Sequence, residues 1–87
     1  MKIKDGFLLK EVAGSYVIVP IGDNMVDFSA MITTNETGAF LWERLKSDVD
    51  TDALVNAVMD EYEIDEATAR ADVEEYINTL REKNVLT

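Results

Sequence analysis

The chain has 87 residues, a formal net charge of −10 and a hydrophobic fraction of 47%. A chain of this length forms one domain, here residues 1–87, and its hydrophobic fraction supports a folded core rather than a disordered chain. It contains no cysteine and no histidine, which excludes thiol catalysis, thiolate metal sites and imidazole acid–base chemistry.

Three segments of β-forming residues open the chain. Residues 7–12 and 16–20 are rich in Leu, Val and Ile, and residues 13–15 between them (Ala-Gly-Ser) predict a hairpin turn. Residues 26–32 then alternate apolar and polar side chains with a period of two, which predicts a third strand. The expected result is a three-stranded antiparallel sheet.

The spacing of apolar residues changes to that of a helix after the third strand. Thr34, Thr51 and Asp65 are the predicted N-caps of three helices, and Asn84 is a predicted left-handed residue after the last one. The apolar stripes predicted to face the core are Gly38, Leu41, Trp42 and Leu45, then Leu54, Val55, Val58 and Tyr62, then Ala69, Val73, Tyr76, Ile77 and Leu80. Phe40 lies outside its stripe and is expected to contact the sheet or a partner. The predicted fold class is α+β, with element order β-β-β-α-α-α.

The sequence contains no complete motif for catalysis or metal binding. Residues 48–52 resemble the start of a calcium-binding loop, but Ala53 and Met59 stand where an EF-hand requires Gly and Glu. No nucleophile–base pair and no glycine-rich phosphate loop is present in the sequence. We therefore expect no enzymatic activity, no metal and no cofactor.

The same considerations restrict partners and location. Three short helices after strands also occur in winged helix-turn-helix proteins, but a net charge of −10 opposes binding to a phosphate backbone. No apolar run approaches the length of a membrane span, and residues 1–6 are not typical of a secretory signal. The expectation is a cytoplasmic protein without nucleic-acid or membrane partners.

Two segments carry a resemblance to a known family. Residues 32–45, ITTNETGAFLWERL, resemble the pattern hydrophobic-x-x-N-x-T-(G/A)-x-x-(I/L)-W-x-x-L of the coenzyme PQQ synthesis protein D family. Residues 62–73, YEIDEATARADV, resemble that family's Y-x-(V/I)-(D/S)-x-x-x-A-x-x-D-(V/I) entry into its last helix. Residues 16–20 fit its second strand, so the likeness covers almost the whole chain.

The resemblance implies a winged-helix-like fold that serves as a recognition element for ribosomally synthesised and post-translationally modified peptides. Such a domain captures the leader segment of a precursor peptide and presents it to a modifying enzyme, often a radical-SAM protein. The leader adds as a strand beside the third strand, in a cleft formed with the third helix. The alternative is a protein–protein adaptor of the same fold that binds no leader peptide.

The residues themselves fit such a role. The third strand contains no Pro and no Lys, so its edge is open to another strand, and we expect peptide contacts from Asp27, Phe28, Ser29, Ala30, Met31 and Ile32. On the third helix, Arg70, Ile77 and Arg81 share one flank of the apolar stripe and are assigned to the peptide cleft. Two alternatives stay open: Arg70 pairs within its helix with Glu66 or Glu74, or the opposite flank, formed by Thr68, Asp72 and Thr79, faces the cleft.

Overall fold

The computed structural model describes residues 1–21 and 31–87. Its elements are β1 (Phe7–Val12), β2 (Ser15–Pro20), β3 (Ile32–Thr34), α1 (Glu36–Arg44), α2 (Thr51–Tyr62) and α3 (Glu66–Glu82). The predicted fold class and element order are confirmed. Most of the third strand predicted over residues 26–32 lies outside the described residues, and β3 begins only at Ile32 and continues two residues beyond the predicted end.

A tight hairpin joins β1 to β2. The strands are antiparallel, with Phe7 opposite Pro20 and Val12 opposite Ser15. The two residues between them, Ala13 and Gly14, have φ angles of 52° and 81°. Two consecutive residues with positive φ match the twist of the flanking strands, so the predicted turn is confirmed and needs only two residues.

The strand order places β3 at an edge of the sheet. The order is β1-β2-β3, and β3 pairs with β2 in an antiparallel register that sets Ile18 opposite Ile32 and Tyr16 opposite Thr34. Within the described residues, no strand pairs with the other side of β3. That side is where the sheet can be extended.

Each helix begins with a side chain that accepts a hydrogen bond from the backbone of its first turn. The N-caps are Asn35, Asp50 and Asp65, which bond the N–H groups of Gly38, Ala53 and Thr68 at 2.9, 2.8 and 2.7 Å, respectively. Asp65 confirms its prediction, whereas the caps predicted at Thr34 and Thr51 are wrong by one residue. Asn and Asp side chains are more effective in this position than Thr, and Thr34 instead ends β3.

The core lies between the sheet and the three helices. The predicted apolar stripes are buried except for Tyr62 and Tyr76, which are partly exposed. The residues of this core are Ile3, Ile18, Ile32, Leu41, Trp42, Leu45, Leu54, Val55, Val58, Ala69, Val73, Ile77, Leu80, Val85 and Leu86. Of the helices in the described part of the chain, none is long and apolar enough to cross a membrane.

The first and last described residues pair with each other. Ile3 and Leu86 form an antiparallel bridge, the Lys4 N–H donates to the Val85 carbonyl, and the Thr87 N–H donates to the Lys2 carbonyl, both at 2.8 Å. Asn84 has a φ of 61°, so the predicted left-handed residue that turns the chain back from α3 is confirmed.

The acidic loop before α2 has structural roles in the fold. The Met1 amino group donates to Asp48 Oδ1 at 2.7 Å, and this hydrogen bond, together with the charge of the amino group, holds the pKa of the Asp48 carboxyl below its usual range. Asp50 caps α2. The resemblance of residues 48–52 to a calcium loop is therefore explained by one ion pair and one helix cap.

Candidate functional site

An open groove of about 380 Å³ runs between β3, the start of α1 and one side of α3. Its volume lies within the range of sites that bind small ligands. The residues that line it are Ile32, Thr33, Thr34, Asn35, Thr37, Gly38, Leu41, Asp72, Glu75, Tyr76 and Thr79.

Close contact between α1 and β3 shapes one end of the groove. Gly38 is buried, and a Cβ atom at this position would lie 2.9 Å from the Cβ atom of Thr34 and closer still to its hydroxyl. The absence of that atom lets the first turn of α1 lie directly against the end of the strand. Asn35 stabilises the same junction, since its side chain accepts a hydrogen bond from the Gly38 N–H.

The floor of the groove is apolar. Ile32 and Leu41 are buried there, and the ring of Tyr76 lies beside them. The Tyr76 hydroxyl is buried and has no hydrogen-bond partner within the described residues. Burial raises the pKa of Tyr76, because the phenolate would lose its hydration.

The wall formed by α3 is acidic and polar. Asp72 and Glu75 are exposed, and the Thr79 hydroxyl donates to the Glu75 backbone carbonyl at 3.0 Å. No Lys or Arg side chain lines the groove among the residues that the structure describes. In that same part of the chain, neither carboxylate forms an ion pair.

The strand residues predicted to contact a peptide divide into two groups. Asp27, Phe28, Ser29 and Ala30 lie outside the described residues. Met31 precedes β3 with 45% of its surface exposed, whereas Ile32 is buried and contributes to the floor of the groove.

The helix residues assigned to the cleft lie elsewhere on α3. The Arg70 guanidinium donates to Asp52 of α2 at 3.1 Å, so its partner is neither Glu66 nor Glu74. Ile77 is 3% exposed within the core, and Arg81 lies 4.0 Å from the sulfur of Met1. A peptide contact by any of the three stays a prediction, and their positions are a reason to prefer the opposite flank.

Two residues of that opposite flank, Asp72 and Thr79, do line the groove. The sequence left this choice open because the apolar stripe shows which face of α3 is buried, but not which of its two flanks lies toward β3. The sequence missed Glu75 and Tyr76 of α3 as groove residues, and it also missed Thr33, Thr34, Asn35, Thr37, Gly38 and Leu41. The signal that could have pointed to Tyr76 is a tyrosine within an apolar stripe, because its ring carries a polar group and such side chains are common where a core meets a polar surface.

Phe40 has neighbours within its own domain. Its ring meets that of Tyr62 edge to face, with centroids 5.7 Å apart, and the Arg44 guanidinium lies 5.0 Å from the Phe40 ring centroid. These contacts explain why an aromatic residue outside the apolar stripe of α1 is only partly exposed.

Comparisons with known proteins identify a family and a similar fold. The family model described as "Coenzyme PQQ synthesis protein D (PqqD)" matches residues 15–86. A solved structure described as "TbiB1 in Complex with the TbiA(beta) Leader Peptide" superposes with a TM-score of 0.74 at 21% sequence identity, covering 99% of this chain and 94% of that one. At this identity the superposition establishes a shared fold. No curated protein matches the chain.

Proposed function

Because the chain belongs to the coenzyme PQQ synthesis protein D family, we propose that it is a non-catalytic protein that binds peptides. In this proposal it captures the leader segment of a ribosomally synthesised precursor peptide. It then presents that peptide to a modifying enzyme such as a radical-SAM protein. Two features support the role: the family, and a protein of the same fold whose solved structure is described as a complex with a leader peptide.

The observation that carries the proposal is the open edge of β3 above the groove. A strand at a sheet edge offers backbone donors and acceptors to another extended chain, and nearby pockets then read its side chains. Here the edge of β3 and the wall of α3 border the same groove. The leader would therefore add beside β3 and lie against Asp72, Tyr76 and Thr79, with Met31 and the preceding residues 27–30 extending the contact.

The test first searches the genes beside its own for a short precursor peptide, then titrates the domain with that peptide and follows the backbone amide shifts in NMR spectra. We expect larger shifts over β3 and over residues 72–79 than over β1. Larger shifts over β1 would place the peptide on the other edge of the sheet. Binding of a neighbouring modifying enzyme without any response to the peptide would favour the adaptor instead.

A proline substitution tests the backbone part of the same contact. Met31→Pro removes one N–H donor beside the edge strand and should weaken peptide binding while the fold survives. Met31→Ala is the matched control, since it removes the side chain and keeps the donor. Equal affinities for the two variants would show that the backbone at residue 31 does not bind the peptide.

A further inference from the structure

We propose that the groove selects an extended peptide segment that places a Lys or Arg side chain against Asp72 and Glu75. The same segment places an apolar side chain over the floor formed by Ile32 and Leu41. The inference rests on the proposed function, since it names the chemistry of the peptide that the groove accepts.

The unpaired charges of the groove wall favour a basic residue. Asp72 and Glu75 are one turn apart on α3, a spacing at which two side chains are neighbours and two like charges repel. The three ion pairs of the described residues involve the carboxylates of Asp48, Glu43 and Asp52, and none reaches this wall. A guanidinium or ammonium group between Asp72 and Glu75 would remove the repulsion and gain charge-assisted hydrogen bonds.

The charge of the whole domain acts in the same direction. With 18 acidic and 8 basic residues, its field attracts a cationic segment and repels an anionic one. An acidic peptide would place further carboxylates beside Asp72 and Glu75, where the described groove residues provide no compensating cation.

The spacing of the groove fits two side chains of one extended segment. Side chains at positions i and i+2 of a strand point to the same face and lie about 7 Å apart. Along α3, Asp72 and Thr79 are separated by about 10 Å, from a rise of about 1.5 Å per residue. One peptide side chain can therefore meet the two carboxylates while the next on the same face covers the apolar floor beside Tyr76.

The test uses a display library of random twelve-residue peptides selected on the immobilised 87-residue protein. A parallel selection uses a variant with Asp72→Asn and Glu75→Gln, and a control variant carries Asp60→Asn and Glu61→Gln on α2. Both variants change the net charge by the same amount, and Asp60 and Glu61 are exposed residues that do not line the groove. Circular dichroism checks that all three proteins are equally folded.

Peptides enriched on the unchanged protein and on the control variant should carry Lys or Arg two positions from an apolar residue. For one such peptide, the groove variant should lose affinity by about 5- to 30-fold in calorimetry, as expected when a charged hydrogen-bond partner is removed. Replacing the Lys or Arg of the peptide by Gln should cost a similar factor on the unchanged protein and little on the groove variant. Raising the salt concentration should lower the affinity only where the protein keeps both groove carboxylates and the peptide keeps its Lys or Arg.

Two results would overturn the inference in distinguishable ways. Selected peptides that bind beside β3 with no preference for basic residues would refute the charge selection and leave the proposed function intact. If no selected peptide shifts the amides of β3 or of residues 72–79, the peptide site proposed at this groove is rejected, and the inference with it.

Discussion

The side chain of Thr34 occupies the space that a Cβ atom on Gly38 would need. The contact joins the end of the edge strand to the first turn of α1 at one end of the groove. The structure of the groove therefore depends on a glycine inside a helix, where glycine is otherwise unfavourable by about 1 kcal/mol relative to alanine.

Replacing Gly38 by Ala should destabilise the protein in spite of the better helix propensity of alanine. Overpacking of a tight contact costs about 1–3 kcal/mol, and the new methyl group would meet both the hydroxyl and the Cβ atom of Thr34. Chemical denaturation measures the change in the free energy of unfolding. Combining Gly38→Ala with Thr34→Ala should recover part of the loss, because the hydroxyl and the Cγ2 methyl are then absent. A single Gly38→Ala variant as stable as the unchanged protein would contradict the contact.

Tyr76→Phe should stabilise the protein at neutral pH. The buried hydroxyl lacks a partner within the described residues, and an unsatisfied buried polar group costs about 1–3 kcal/mol. Thermal or chemical unfolding of both proteins at pH 7 provides the comparison. A loss of stability in the variant would mean that the hydroxyl has a hydrogen-bond partner in solution.

The stabilities of the unchanged protein and of Tyr76→Phe should diverge in alkaline solution. Burial raises the pKa of Tyr76 above its usual value of 10.0, so above pH 10 the unfolded chain loses a proton that the folded chain keeps. The stability of the unchanged protein should fall relative to Tyr76→Phe by about 1.4 kcal/mol for each further pH unit. Unfolding curves at intervals between pH 9 and 11.5 measure the difference, and a gap that is independent of pH would show that the hydroxyl ionises freely in the folded state.

Acidic solution should destabilise the protein by protonating the N-cap of α3. The hydrogen bond from the Thr68 backbone lowers the pKa of Asp65 below its usual value of 3.8, so the stability from this carboxylate is complete above that value. It is lost as the pH falls through the lower pKa of the folded state. Asp65→Asn retains an acceptor that does not titrate, and its stability should therefore change less between pH 4 and pH 2. Parallel curves for the two proteins would refute the linkage.

Removing the two arginines of α3 should leave peptide binding almost unchanged if the groove is the site. Arg70 is engaged with Asp52 and Arg81 lies near Met1, and neither side chain lines the groove. Arg70→Ala and Arg81→Ala should each alter the free energy of unfolding by less than about 0.5 kcal/mol, since exposed ion pairs contribute little. Calorimetry with the precursor peptide would decide: a large loss of affinity in either variant would restore the flank first assigned from the sequence.

Helix α3 illustrates which features the sequence could predict. Its apolar stripe and its cap at Asp65 follow from local spacing and were correct. The flank that faces β3 depends instead on the angle at which α3 packs against the sheet, and that angle is set by contacts distant in sequence. The caps of the other helices failed for a local reason, because Thr34 and Thr51 each adjoin another good capping residue.

The bridge between Ile3 and Leu86 also has a topological consequence. Residues 2–4 and 85–87 are hydrogen-bonded as antiparallel neighbours, so opposed residues of these two terminal segments lie about 5 Å apart. A domain with adjacent ends can be inserted into a loop of another protein without forcing that loop open. For the same reason, a circular permutant opened at the turn of Ala13 and Gly14, with a short linker joining the present ends, should retain the groove between β3 and α3.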